Sequence, residues 1–334
     1  MGTPDDDPRP RRRREQAAAR RRRHRRDLAF WAVIAVAVVA VVTWAVNPDW
    51  DWRGGAPGSV AAGGSVATIT GTAAVTTPTA TTAPAARDTH ERDHGLRPSG
   101  SPARSTVTVP VLMYHRVAPR STATNDVSLD LTVEPSAFRQ QMRWLKAHGY
   151  TAVSQAEVFR AVEDGATLPA KPVLLTFDDG YVDAVKDVLP VLAPLRWPAT
   201  FFIITSRIGE RAFLDAAQLR RLSDAGMDIG SHTVDHLELP SLDDASRAQQ
   251  LTASRGTLER LLGHPVRWFC YPAGRNDGAS AAAVARAGYL LGYTTEGGSV
   301  LRADSLTRLP RVRVSGGQSL DSFAGSVAAA SAAT

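Results

Sequence analysis

Two aspartates stand side by side at the end of an apolar run in VLLTFDDGYVD, Val173 to Asp183. Each carboxylate disfavours ionisation of the other. Such a pair marks either a turn or a cation beside which Asp178 and Asp179 do different work. A second cluster, SHTVDH, places His232 and His236 four residues apart. On one helical turn that spacing aims both imidazoles at one point. Two histidines and one carboxylate, with positions left for water and substrate, make a catalytic divalent-metal site. An HxxxH spacing alone is common by chance, and Asp-Asp-Gly alone is usually a turn or cap. HxxxH at one strand end and a paired aspartate at another is a far more specific signal. His115 follows a third apolar run, VTVPVLMY. Tyr271 to Gly274 follow a fourth, VRWFC, which ends on Cys270.

Those residues need elements to position them. From Thr106 onward, strand-like and helix-like segments alternate. PVLLTF, ATFFII, MDIGSH, VRWFCYP, YLLGYTT and RLPRVRV read as strands. PSAFRQQMRWLKAHG, a segment running through Val191, LDAAQLRRLSDAG, Leu242 to Leu262 and Ala279 to Ala287 read as helices. Ser154 with Glu157 forms a capping box ahead of one more. About seven β/α units with continuous apolar strands imply a parallel sheet covered by helices, and the count suits a distorted (β/α) barrel. A doubly wound open sheet is the alternative, but no Gly-rich dinucleotide loop supports it. In such a barrel the C-terminal strand ends carry the chemistry. His115, Asp178, Asp179, His232 and Tyr271–Gly274 all fall there.

The rest of the 334 residues divides sharply. Residues 1–27 hold eleven arginines against five carboxylates, which accounts for the whole formal charge of +6. The remainder is near neutral, so the basic balance argues against a nucleic-acid-binding body. Residues 28–46 contain no charge, glycine or proline and have the length of a bilayer span. Trp44, Trp50 and Trp52 cluster at the far end, and the positive-inside rule puts the arginine arm in the cytoplasm. The expectation is a signal-anchor helix with the C-terminal part extracytoplasmic. A cleaved signal peptide is the competing reading. Residues 47–105, rich in Ala, Thr, Gly and Pro, cannot bury enough surface to fold and read as a disordered linker. Residues 106–334 read as the folded domain that carries the candidate site residues. A single cysteine excludes any intrachain disulfide.

TFDDGY and SHTVDH together resemble the first two motifs of the polysaccharide deacetylases with a NodB homology domain, carbohydrate esterase family 4. The likeness runs from about Thr106 to Gly317. It implies that Asp178 is the general base, and that Asp179, His232 and His236 hold a divalent metal. Zinc is the default, with cobalt or nickel as alternatives. No histidine follows His264, so the family's late Leu-x-His motif is missing. VPVLMYHRV is instead similar to the opening motif of the circularly permuted branch, typified by poly-N-acetylglucosamine deacetylases, which assigns the general acid to His115. The third family motif often carries an arginine that orients the base. Here that position is Cys270, which cannot pair with a carboxylate as arginine does, and Arg311 in LPRVRV is the candidate replacement. The Ala273 N–H, with Tyr271 beside it, is the expected oxyanion and substrate contact.

The resemblance implies metal-assisted hydrolysis of an acetamide in an extracellular glycan containing N-acetylglucosamine. The competing functions are an O-acetyl esterase acting on glycans and a glycan-binding module without turnover. Cys270 reads as a buried thiol, and Trp144, Trp197 and Trp268 as core. His148 and His264 read as structural residues at helix ends, and His24, His90 and His94 lie outside the folded part.

Overall fold

The computed structural model describes Leu96 and residues 106–333. The basic arm, the 28–46 span and nearly all of the 47–105 linker expected from the sequence lie outside the described residues. Among the described residues no helix is long and apolar enough to cross a membrane.

Seven strands form the centre: β1 (Val111–Tyr114), β2 (Pro172–Phe177), β3 (Thr200–Ile203), β4 (Asp228–Ser231), β5 (Trp268–Cys270), β6 (Leu291–Gly297) and β7 (Leu309–Arg313). Each pairs in parallel with the next, and β7 returns in parallel to β1, so the barrel closes. The expected α/β barrel is therefore present, and closure leaves no strand edge within the ring.

Closure also explains why the strands are apolar on both faces. Along β2, Val173, Leu175 and Phe177 join the outer layer under the helices, while Leu174 joins the inner one. The helices are α1 (Pro135–Ala147), α2 (Gln155–Asp164), α3 (Ala216–Asp224), α4 (Asp244–Leu262), α5 (Gly278–Arg286) and α6 (Leu320–Ser331). The helix expected after Asp179 is broken into a π turn (Ala184–Val188), one α turn (Leu189–Leu192) and a 3-10 turn (Ala193–Leu195). Pro190 and Pro194 bring no N–H to an i→i−4 ladder, which accounts for the interruptions. Helix α6 has no counterpart in the strand and helix reading of the sequence. It buries Phe323 and Val327, and Phe323 meets Trp144 of α1 edge-on at 6.0 Å.

Helix α2 closes one end of the barrel. Its capping box forms as the sequence predicts, with Ser154 N–H donating to Glu157 Oε2 at 2.8 Å. Phe159 and Val162 enter the inner layer from below. Gln155 donates to Thr200 Oγ1 at 2.9 Å and accepts from the Tyr293 hydroxyl at 2.7 Å, while its N–H donates to Asp228 at 3.1 Å. Thr200 and Asp228 begin their strands, so the plug sits at the end opposite the paired aspartates.

The inner layer has little spare room. A Cβ on Gly230 of β4 would stand 2.5 Å from Phe202 Cδ1 and 3.0 Å from the Trp268 carbonyl oxygen. Gly230→Ala is expected to destabilise the domain by about 1–3 kcal/mol through overpacking. A lowered denaturant midpoint at unchanged m-value is the readout, and an unchanged midpoint would show that Phe202 can move aside.

Candidate active site

Strand parity carries chemistry into the barrel mouth. Thr176 and Asp178 continue the inward series of β2, Cys270 that of β5 and Arg311 that of β7. Asp178 is 2% exposed and Arg311 1%, so they meet in a dry, low-dielectric place. Arg311 Nη1 donates to Asp178 Oδ1 at 2.8 Å and Nη2 to Oδ2 at 2.7 Å, a bidentate, charge-assisted pair. The other three donor bonds go to the Thr294 carbonyl (Nε, 2.8 Å), Thr176 Oγ1 (Nη1, 3.1 Å) and Cys270 Sγ (Nη2, 3.1 Å). The Thr294 carbonyl is available because β6 bulges. Tyr293 to Gly297 spans the same register on β6 as Leu309 to Arg311 on β7.

Burial opposes charge on Asp178, but the Arg311 guanidinium overrides it and holds the carboxyl well below the usual range. Cys270 Sγ also lies 3.5 Å from Asp178 Oδ2. Burial pushes that thiol's pKa up, so it stays protonated and can donate. Cys270 is the buried thiol that the sequence predicts, and its sulfur lies against both members of the directly paired Asp178 and Arg311.

Asp179 turns the other way. Its φ is 72°, followed by Gly180 at 81°, so neighbouring carboxylates diverge at the strand end. Asp179 Oδ1 lies 3.5 Å from His232 Nε2 and 3.7 Å from His236 Nε2. Those separations are long for hydrogen bonds. They suit ligands sharing one ion at bond lengths of about 2.0–2.2 Å. One ligand atom from each of the three residues falls in a group within 4.8 Å. His232 Nδ1 lies 2.7 Å from the Cys270 carbonyl, which can only accept. The proton is therefore on Nδ1, leaving the Nε2 lone pair for a metal. The His236 side chain is 38% exposed, so this side of the site faces solvent.

The two histidines do not share a helical turn, contrary to the sequence expectation. Ser231 ends β4, and His236 is reached through a non-helical turn in which Thr233 has φ 67° and His236 φ 57°. Five non-glycine residues have positive φ among the described residues, and four of them are Asp179, Thr233, His236 and Ala273. Backbone strain therefore collects at this rim, as it does at functional sites.

His115 follows β1, with Nε2 3.9 Å from Asp178 Oδ2. Burial lowers its pKa, and the two aspartates pull it back up. Ala273 is exposed on the turn beyond β5, with φ 51°. Gly274 follows at φ 68°, where a Cβ would strike Thr295 Oγ1 at 2.0 Å. Tyr271 does not join the site through its side chain. Its odd-numbered position aims the ring outward, fully buried and edge-on to Phe269 at 5.0 Å.

The family model for polysaccharide deacetylase matches residues 165–292, which include both aspartates and both histidines. YxkH of Bacillus subtilis, which bears the name of a polysaccharide deacetylase, is 33% identical over 215 residues, 64% of this chain and 74% of that one. The chain belongs to the polysaccharide deacetylases. The solved structure of the Streptococcus pyogenes deacetylase PplD in complex with acetate is similar at TM-score 0.61 and 30% identity, over 67% of this chain and 99% of that chain. A poly-beta-1,6-N-acetyl-D-glucosamine N-deacetylase of Staphylococcus epidermidis is 28% identical over 229 residues, 61% of this chain and 78% of its own.

In this deacetylase the guanidinium beside Asp178 comes from β7 rather than from position 270. The sequence named Arg311 only as a candidate. The parity of β7, with Leu309 and Arg311 both inward, was the available signal. Arg311→Met should leave a buried carboxylate unpaired, at a cost of about 3–5 kcal/mol in stability. Chemical denaturation of the metal-free protein measures it. A loss under about 1 kcal/mol, the size of an exposed pair, would contradict the buried geometry.

Proposed function

We propose that this protein is a metal-dependent N-deacetylase that hydrolyses acetamide groups of an N-acetylglucosamine-containing glycan. The observation that carries this reading is the placement of an Asp-His-His ligand set directly beside an arginine-held aspartate. Relatives named as poly-beta-1,6-N-acetyl-D-glucosamine N-deacetylases in Staphylococcus epidermidis and Escherichia coli support the substrate class. This chain spans 35% of the Escherichia coli protein, so the likeness there concerns one part of it.

Asp179, His232 and His236 would hold the ion, with zinc the first choice for two imidazoles and a carboxylate. A divalent cation there supplies Lewis acidity toward the acetyl oxygen and makes nearby water acidic. Asp178 takes the proton of the attacking water. Arg311 keeps Asp178 ionised and fixes both its oxygens. His115 delivers a proton to the departing amine nitrogen, and the Ala273 N–H would donate to the developing oxyanion. The guanidinium from β7 answers the objection that Cys270 leaves the base unheld, which favours turnover over mere glycan binding.

The location is also proposed. The uncharged 28–46 stretch, preceded by the arginine arm, anchors the chain with its catalytic domain outside the cytoplasm. A C-terminal reporter should be accessible at the outer face of intact cells. Protection of that reporter in the cytoplasm would overturn the orientation.

Acetate release from an N-acetylglucosamine polymer should stop with chelator and return with zinc. Asp178→Asn should abolish release and keep the metal, whereas His236→Ala should lose both. Metal loss by Asp178→Asn, with retention by Asp179→Asn, would reverse the two roles. His115→Ala should cut kcat by about 10²–10⁴ on the acetamide. The loss should be smaller on an activated ester, whose leaving group needs no proton. Parent-like turnover of His115→Ala on the acetamide would remove the acid from this position.

A further inference from the structure

Helix α4 carries a polar stripe on the face it turns toward the barrel. Arg247, Gln250 and Ser254, spaced by three and four residues, are 6%, 8% and 0% exposed. All three grip the segment that leaves β4. Ser254 Oγ is 2.7 Å from Ser231 Oγ at the strand end. Arg247 donates to the carbonyls of Leu239 (Nε, 3.0 Å) and Leu242 (Nη2, 2.7 Å). Between them, Gln250 reaches the turn that separates His232 from His236. Its Oε1 accepts from the backbone N–H groups of Val234 (3.0 Å) and Asp235 (2.9 Å), and its Nε2 donates to Asp235 Oδ2 at 2.8 Å.

We propose that Gln250 is a positioning residue for the ligand turn: it sets the separation of His232 and His236 around Asp179, and through it the affinity for a divalent ion. The inference rests on the reading that those three residues hold a metal.

The turn needs such a hold. Thr233 and His236 both sit at positive φ without being glycine, a conformation that persists only where surroundings over-determine it. Thr233 Oγ1 supplies one local bond, accepting from the His236 N–H at 3.0 Å. The neighbouring N–H groups of residues 234 and 235 have left the β4 ladder, and Gln250 takes both. A primary amide suits the place because it accepts from two N–H groups through oxygen while donating to a carboxylate through nitrogen. An aliphatic side chain would leave both N–H groups without that acceptor. A carboxylate would accept from them but repel Asp235.

That chemistry predicts a polarity swap. In Gln250→Glu/Asp235→Asn, one oxygen of the new carboxylate accepts from the two backbone N–H groups. Its other oxygen accepts from the new amide at 235. The network is then restored with the outer bond reversed. Asp235→Asn alone keeps an acceptor for Gln250 Nε2 and serves as the control.

The test measures zinc affinity of the full chain in detergent, by competition with a chromophoric chelator, beside thermal unfolding of the metal-free protein. Gln250→Leu and Gln250→Glu should bind zinc about 10–100-fold more weakly, the usual size of a lost outer-shell partner. Asp235→Asn and the double variant should stay within about threefold of the parent, well below the loss expected when an outer-shell partner is removed. Parent-like affinity in both single Gln250 variants, even with lowered melting temperatures, would reduce Gln250 to a structural residue and overturn the proposal. A double variant as weak as Gln250→Glu would overturn the hydrogen-bond account of it. A parent that binds no zinc, cobalt or nickel would instead bring down the metal reading itself, and this inference with it.

Discussion

The buried pair of Asp178 and Arg311 is the constraint around which this barrel mouth is built. Two charges taken out of water lose several kcal/mol of solvation each, and only good geometry and filled hydrogen bonds recover it. Here both carboxylate oxygens and all three guanidinium nitrogens have partners. Meeting that demand sets several otherwise odd features at once. The β6 bulge turns the Thr294 carbonyl toward Arg311. Position 270 holds a side chain small enough to admit the guanidinium. Thr176 also spends its hydroxyl hydrogen on the Leu112 carbonyl at 2.8 Å, leaving its oxygen free to accept from Arg311.

The same pair separates two adjacent carboxylates that would otherwise compete for one role. Asp178 faces inward and is held by a fixed positive charge. Asp179, turned by its left-handed backbone, faces two imidazoles and solvent. The difference is conformational before it is electrostatic: one residue at φ 72° sends consecutive side chains in directions that a continuing strand would not. Gly180 next to it must stay free of a side chain, because an added Cβ would stand 3.1 Å from Ile203 Cδ1. His232 is tied to the same centre by its bond to the Cys270 carbonyl. Position 270 thus serves the base through its sulfur and the histidine through its backbone oxygen.

A division between the ends of the barrel follows. The lower end is stopped by α2 and its amide network through Gln155, Tyr293 and Thr200. The upper end carries positive-φ turns, the partly exposed imidazole of His236 and His115. Rigidity at one end lets the other hold unfavourable backbone conformations without the strands shifting register.

The primary structure alone determined the alternation of elements, the continuously apolar character of the strands and the capping box at Ser154. All of these depend on residues close in the chain, whose periodicity and capping chemistry act locally. It also marked Asp178, Asp179, His232, His236 and His115 as the residues with chemistry to do, because their types and motifs are specific. It misread the HxxxH spacing as a helical turn, since a separation of four is compatible with both a helix and a turn held from outside. It missed α6, whose Ala-rich sequence carries a weak apolar stripe and whose partner, Trp144, is far away in the chain. Only the tertiary structure decided that Arg311 reaches Asp178, that the Cys270 sulfur lies against both and that Tyr271 points away. The reach of Arg311 depends on barrel closure and on the two-residue bulge in β6. A bulge resets which residues oppose one another across a sheet, and that offset is settled by pairing between strands, not by the order of residues within one.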